Sequence, residues 1–228
     1  MPVRGVADDG PGIGEGDGGL PRLIFWMRSL RPLKTALGAS LALGLQACTT
    51  TVVPPANVAE PARIGVLDHG NHASLVLGVA DGRTVQYAYG EWRWYAMEQT
   101  GVIQGLAAVL WPTRAALGRK RLPVRLSPAS VADQIRVPVE DAVYLMVEAE
   151  DVARLVGRLD RMFEEHSEAR VVSGLRDLEF VPHPEPYWIG HNSNRVLAGW
   201  LEELGCRVEG PTILSDWRLA DPLPESPR

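Results

Sequence analysis

Two runs, HASLVLGV (residues 72–79) and TVQYAY (84–89), flank the dipeptide Asp81-Gly82 and constrain this chain more than any other feature. Both runs are rich in β-branched, aliphatic and aromatic residues, and Asp-Gly supplies the positive φ that a tight hairpin needs. The pair therefore reads as an antiparallel hairpin, which demands a sheet. If Asp81 and Gly82 are the two loop residues, Ala80 faces Arg83, and counting outward His72 faces Glu91. Directly opposed residues point to the same face, with Cβ atoms about 5 Å apart. Glu91 is then expected to hold the His72 imidazole in one tautomer, a dependence sensitive to a single bulge.

Around the hairpin the order of elements predicts an α+β class. ARIGVLD (62–68) reads as the first strand, and LPVRLS (122–127) and VYLMVEA (143–149) as later ones; Tyr95 to Arg119 is helical in tone, broken at Trp111-Pro112. Val152, Leu155, Val156, Leu159, Met162 and Phe163 recur at the spacing of one apolar helix face. LEFVPHP predicts a short strand entering a proline-rich loop, where His183 would be solvated. Val196, Leu197, Trp200, Leu201 and Leu204 form the stripe of a last helix, which Gly205 stops. The cluster EWRWY (91–95) reads as a core edge.

At 228 residues with 46% apolar content, the chain can bury one core. Its net charge of -5 supplies no basic face for nucleic acid. MRSLRPLKTALGASLALGLQAC (27–48) has Arg28, Arg31 and Lys34 ahead of an apolar run of signal-peptide length. Its ending, Leu45-Gln46-Ala47-Cys48, resembles a bacterial lipobox, which implies cleavage before Cys48 and acylation of its thiol. By resemblance to other lipoproteins, Thr49 after that cysteine implies the periplasmic face of the outer membrane, with the lipid bilayer as a partner. The expected organisation is an upstream gene-model extension or disordered leader at 1–26, a signal peptide at 27–47, a tether at 48–61 with tether composition, and one domain at 62–228. Cys206 is then the remaining thiol, and a buried structural role is expected for it.

Ser193 opens the last helix, where unpaired N–H groups and the dipole favour developing negative charge. With His72 and Glu91 it would complete the parts for acyl transfer. Asn192, Ser193 and Asn194 are also good capping residues, so a cap without chemistry is the competing reading. His69, His191 and Asn194 are candidate lining residues of the same cleft. Asp68, His69 and His72 invite a metal reading, but chelation would need a turn at Gly70, and neither metal nor cofactor is expected.

A strand opening with H-G-x-H (69–72), a second ending in Gly-acidic-aromatic (90–92), and a late helix opening with Ser193-Asn194 together resemble a known pattern. It is that of small bacterial envelope proteins similar to the circularly permuted branch of the papain-like NlpC superfamily, an order shared by lecithin retinol acyltransferase-like proteins. The resemblance implies a permuted papain-like domain in which His72 is the catalytic histidine and Ser193 stands in the cysteine's seat. Serine lacks the intrinsic nucleophilicity of a thiolate. Two functions follow: a degenerate site that binds an envelope component, such as peptidoglycan or an envelope lipid, or a hydrolase or acyltransferase acting through Ser193, His72 and Glu91.

Overall fold

The computed structural model describes residues 49–70, 72–100 and 111–220, the side chain of Ala132 excepted. The described part opens with β1 (Thr50–Val53), followed by β2 (Pro61–Asp68), β3 (Ala73–Gly78), β4 (Thr84–Glu91) and the short helix α1 (Trp92–Tyr95). Then come β5 (Thr113–Leu122), α2 (Pro128–Gln134), β6 (Asp141–Glu148), α3 (Ala149–Glu165), β7 (Val171–Ser173), β8 (Leu178–Tyr187), α4 (Ser193–Glu203), β9 (Arg207–Glu209) and β10 (Trp217–Leu219). The class is α+β. The main sheet has the order β6-β2-β3-β4-β5-β8-β7, and each neighbouring pair in it is antiparallel.

Helices α3 and α4 cover one face of this sheet. The period-3.6 stripes dictate this: Val152, Leu155, Leu159 and Phe163 from α3, and Leu197, Trp200, Leu201 and Leu204 from α4, are all buried in one cluster. The sheet meets them with odd-numbered residues of its central hairpin, Leu75 and Leu77 from β3 and Val85, Tyr87 and Tyr89 from β4. Each large side chain so buried contributes about 1.5–3 kcal/mol. Even-numbered residues of the same strands face the other way: Val76 packs with Leu126 and Val131, and Ala88 with Trp92 and Phe180. Both faces of the central strands are thus covered.

The hairpin is present, but its register differs from the expected one by one residue. Gly78 pairs with Thr84 and Ser74 with Ala88, so the ladder extrapolates to His72 opposite Gly90, not Glu91. The cause is the turn. Gly82 N–H donates to Val79 O at 3.0 Å, Val79 N–H donates to Arg83 O at 3.0 Å, and Gly82 has φ +80°. Those bonds describe a three-residue loop, Ala80 to Gly82, with glycine in the left-handed position of a bulge, instead of a two-residue Asp-Gly turn.

Four further expectations are corrected. The tether at 48–61 is not one throughout, because Thr50–Val53 forms β1 between β10 and β9, with Thr50 and Val52 fully buried. Residues 113–122 form β5, a strand where a helical tone was read, and residues 123–127 lead to α2 without strand structure. Ala115, Ala116 and Gly118 keep β5 thin, and Phe180 lies where a Cβ on Gly118 would stand. Tertiary contact here outweighs alanine's helix propensity. Finally, β8 runs on to Tyr187, past the prolines. Beyond Phe180 it pairs only with β5, and Pro182, Pro184 and Pro186 sit at alternate positions, as an edge strand permits. The expected leader, signal peptide and Cys48 lie outside the described residues, and no described helix is long and apolar enough to cross a membrane.

Candidate functional site

Ser193 is the first residue of α4, and it is buried. The cap itself is Asn192, whose side-chain oxygen accepts from Arg195 N–H at 2.9 Å, so the plain-cap reading of Ser193 is corrected by one position. Asn192 also donates to Ile189 O at 3.1 Å, and Asn194 to Ile213 O at 3.4 Å. Both amides tie loops to the helix start.

The group that meets Ser193 is Tyr187, from the end of β8. Burial first, and the Glu91 carboxylate second, push the Tyr187 phenol above its ordinary range, while the nearby Ser193 backbone and side chain pull the other way. Glu91 is an odd-numbered β4 residue and so shares the helix-covered face with Ser193. It is 4% exposed and accepts from Trp94 N–H at 2.7 Å, capping α1. Glu91 therefore belongs beside Tyr187 and Ser193.

His72 belongs elsewhere. Its ring packs on Tyr95 with centroids 4.4 Å apart, over Gly90, on the face away from α4. Burial, then the nearby charges of His69 and Arg176, lower its pKa to about 3, and its Nδ1 is buried without a hydrogen-bond partner. The expected pairing of His72 with Glu91 is thus overturned by the three-residue turn, and Tyr95 lies over His72 while itself feeling the charge of Tyr187. A one-residue register slip sends a side chain through to the opposite face.

The turn at Gly70 that a metal reading required does exist, with φ +92° and His69 N–H donating to His72 O at 2.8 Å. It brings the His69 and His72 rings to 6.3 Å, yet His69 spends its nitrogens on Pro138 O (2.7 Å) and Ser74 Oγ (2.9 Å). No group of three His, Cys, Asp or Glu side chains placed to hold a metal occurs among the described residues. His69 therefore lies with His72, away from Ser193.

His191 is held on both nitrogens: Nδ1 lies 2.9 Å from Tyr89 Oη and 3.1 Å from Pro186 O, and Nε2 lies 2.9 Å from Glu185 Oε2. His183 is a half-buried β8 residue, opposite Ala115 and edge-on to Tyr89 at 4.9 Å, and burial lowers its pKa. The solvated loop expected for it is corrected. No imidazole hydrogen-bonds Ser193 among the described residues. A serine without a base is a weak nucleophile, so this arrangement favours hydrogen bonding over bond breaking.

No family model, curated protein or solved structure matches this chain. The site must be judged on its own chemistry.

Sequence reasoning missed Tyr187, Tyr89 and Glu185. The signal was available in VPHPEPY: prolines at every second position leave His183, Glu185 and Tyr187 as the other set of a pleated strand. Next to Glu91 lies a cleft of about 560 Å³, lined by Trp92, Arg93, Gln99, Thr113 and Arg114 among others. Thr113 ties its wall to the end of β8 by donating from Oγ1 to Tyr187 O at 3.3 Å, and the Arg114 guanidinium lies 4.4 Å over the Trp92 ring.

Proposed function

We propose that this protein is a lipoprotein of the outer membrane, acylated at Cys48 and facing the periplasm, whose papain-like body binds an envelope component without turning it over. One observation supports the binding reading: the β3–β4 register puts His72 out of line with Glu91, and its ring packs on Tyr95 with Nδ1 unpaired. An acyl-transfer site needs its base within about 3 Å of the nucleophile. Glu91 lines a cleft that carries Arg93 and Arg114, and its charge reaches Tyr187. Two guanidiniums suit an anionic group, which either a peptidoglycan stem-peptide carboxylate or an envelope-lipid phosphate would supply.

The test presents the full chain with muropeptides in one arm and a short-chain anionic phospholipid in the other. Saturable binding in one arm, weakened by Arg114→Ala, with no cleavage and no fluorophosphonate adduct on Ser193, is the expected result. Cleavage of either ligand that disappears in Ser193→Ala would overturn the reading in favour of a hydrolase. The anchor has a separate check: Cys48→Ser should abolish acyl labelling and membrane fractionation.

A further inference from the structure

The first described residues are locked into the body. Thr50 is fully buried, its N–H donates to Asp216 O at 2.7 Å, and its hydroxyl donates to Pro211 O at 2.7 Å. Thr49 adds a hydrogen bond from Oγ1 to Asp216 Oδ2 at 2.7 Å. Two residues of chain reach at most about 7 Å. By chain length alone, whatever is attached to Cys48 begins close to the loop Gly210–Asp216.

That loop exposes apolar side chains. Ile213 is 59% and Leu214 49% exposed, and Asn194 in the first turn of α4 holds the Ile213 carbonyl. On the other side of the same turn Asn192 holds the Ile189 carbonyl; there Ile189 is 47% and Trp188 43% exposed. Four large apolar residues thus flank the start of α4, on two loops pinned by two neighbouring cap residues. Such a cluster marks a contact surface.

We propose that this apolar collar, Trp188, Ile189, Ile213 and Leu214, rests in the headgroup layer of the leaflet that holds the Cys48 acyl chains. The inference rests on the reading of Cys48 as the acylated residue. Acyl chains inserted in the leaflet put Cys48 at its surface, and a leash of two residues leaves the adjoining loop no other place to lie. A tryptophan with aliphatic neighbours suits the membrane–water interface, where an amphipathic ring settles at headgroup level. The collar would add attachment to that of the acyl chains and would fix the orientation of the body. The Ser193 end then meets the membrane surface, and the β3–β4 turn, at the far end of those strands, points away from it.

The experiment introduces one thiol at a time into the full-length acylated protein, at Ile213, Trp188 or, as the distal control, exposed Ala80. Cys206 is buried and its thiol is pushed up to about 11, so an added surface thiol reacts selectively with a polarity-sensitive fluorophore. Labelled protein is reconstituted into phospholipid vesicles containing lipid with a nitroxide at the headgroup. Blue-shifted emission and strong quenching at 213 and 188, with neither at 80, are expected. Equal, weak quenching at all three positions in protein that floats with the vesicles would overturn the collar while leaving the anchor intact. Protein that neither floats nor takes up an acyl label would overturn the anchor, and the collar with it.

Discussion

The buried His72 makes the stability of this fold depend on pH in a way that one substitution can isolate. Its folded pKa is about 3, against 6.5 for the unperturbed side chain. The unfolded chain therefore binds a proton near pH 6.5 that the folded chain refuses until near pH 3. The stabilisation is complete above pH 6.5 and is lost progressively as pH falls towards the folded value. At about 1.4 kcal/mol per pH unit within that window, lowering the pH from 7 to 5 costs about 2 kcal/mol from this residue alone. His69 and His183, whose pKa values burial also lowers, add to the loss with the same sign. Replacing the imidazole by a ring that cannot titrate, His72→Phe, keeps a partner for Tyr95 and removes only the His72 share. Urea unfolding of the Cys48→Ser chain, with and without His72→Phe, at pH 7 and pH 5 measures the difference. The variant should lose about 2 kcal/mol less than the parent over that interval. Equal losses would mean that His72 titrates normally and is not buried against Tyr95, which would refute the placement.

Asn192→Ala should cost about 1 kcal/mol by removing the α4 cap, whereas Ser193→Ala should cost clearly less, because Ser193 caps nothing; denaturant midpoints separate the two. Gly90→Ala should destabilise by about 1–3 kcal/mol, since a methyl group there overlaps the Tyr95 ring that covers His72; thermal unfolding reads the loss. Arg119→Met should cost about 1.5–3 kcal/mol, because Arg119 is buried, bonded to Asp160 at 2.7 Å and Glu164 at 2.8 Å, and lies over Phe163, while Asp160 keeps the Tyr87 hydroxyl and Arg121 as partners; urea midpoints read the loss.

How much the sequence discloses depends on how a residue acts. Helices α3 and α4 were legible because their stripes repeat over three or more turns, and tertiary structure had only to accept a face already apolar. The β3–β4 hairpin was legible as a hairpin, but its register was not. Asp81-Gly82 serves a two-residue loop and a three-residue bulged loop equally well, and the choice between them decides on which face His72 emerges. β5 was misread because TRAALGRKRL carries a small residue for a reason outside itself: Phe180 on the neighbouring strand fills the space that a side chain at Gly118 would need. β1 escaped notice because its partners, β9 and β10, lie more than 150 residues away along the chain. The site was half legible. Ser193 and Glu91 do share a face, while Tyr187, which joins them, sat in a segment whose prolines read as a loop.

The central claim is that His72 and Ser193 do not work on one another, and Ser193→Cys tests it most directly. The pH dependence of alkylation of the introduced thiol gives its apparent pKa, measured in the presence of His72 and again with His72→Ala. The two profiles should coincide, because helix position, Tyr187 and Glu91 set the thiol's environment and the imidazole packs on Tyr95. A thiolate formed at low pH only when His72 is present would contradict the account and restore a catalytic pair.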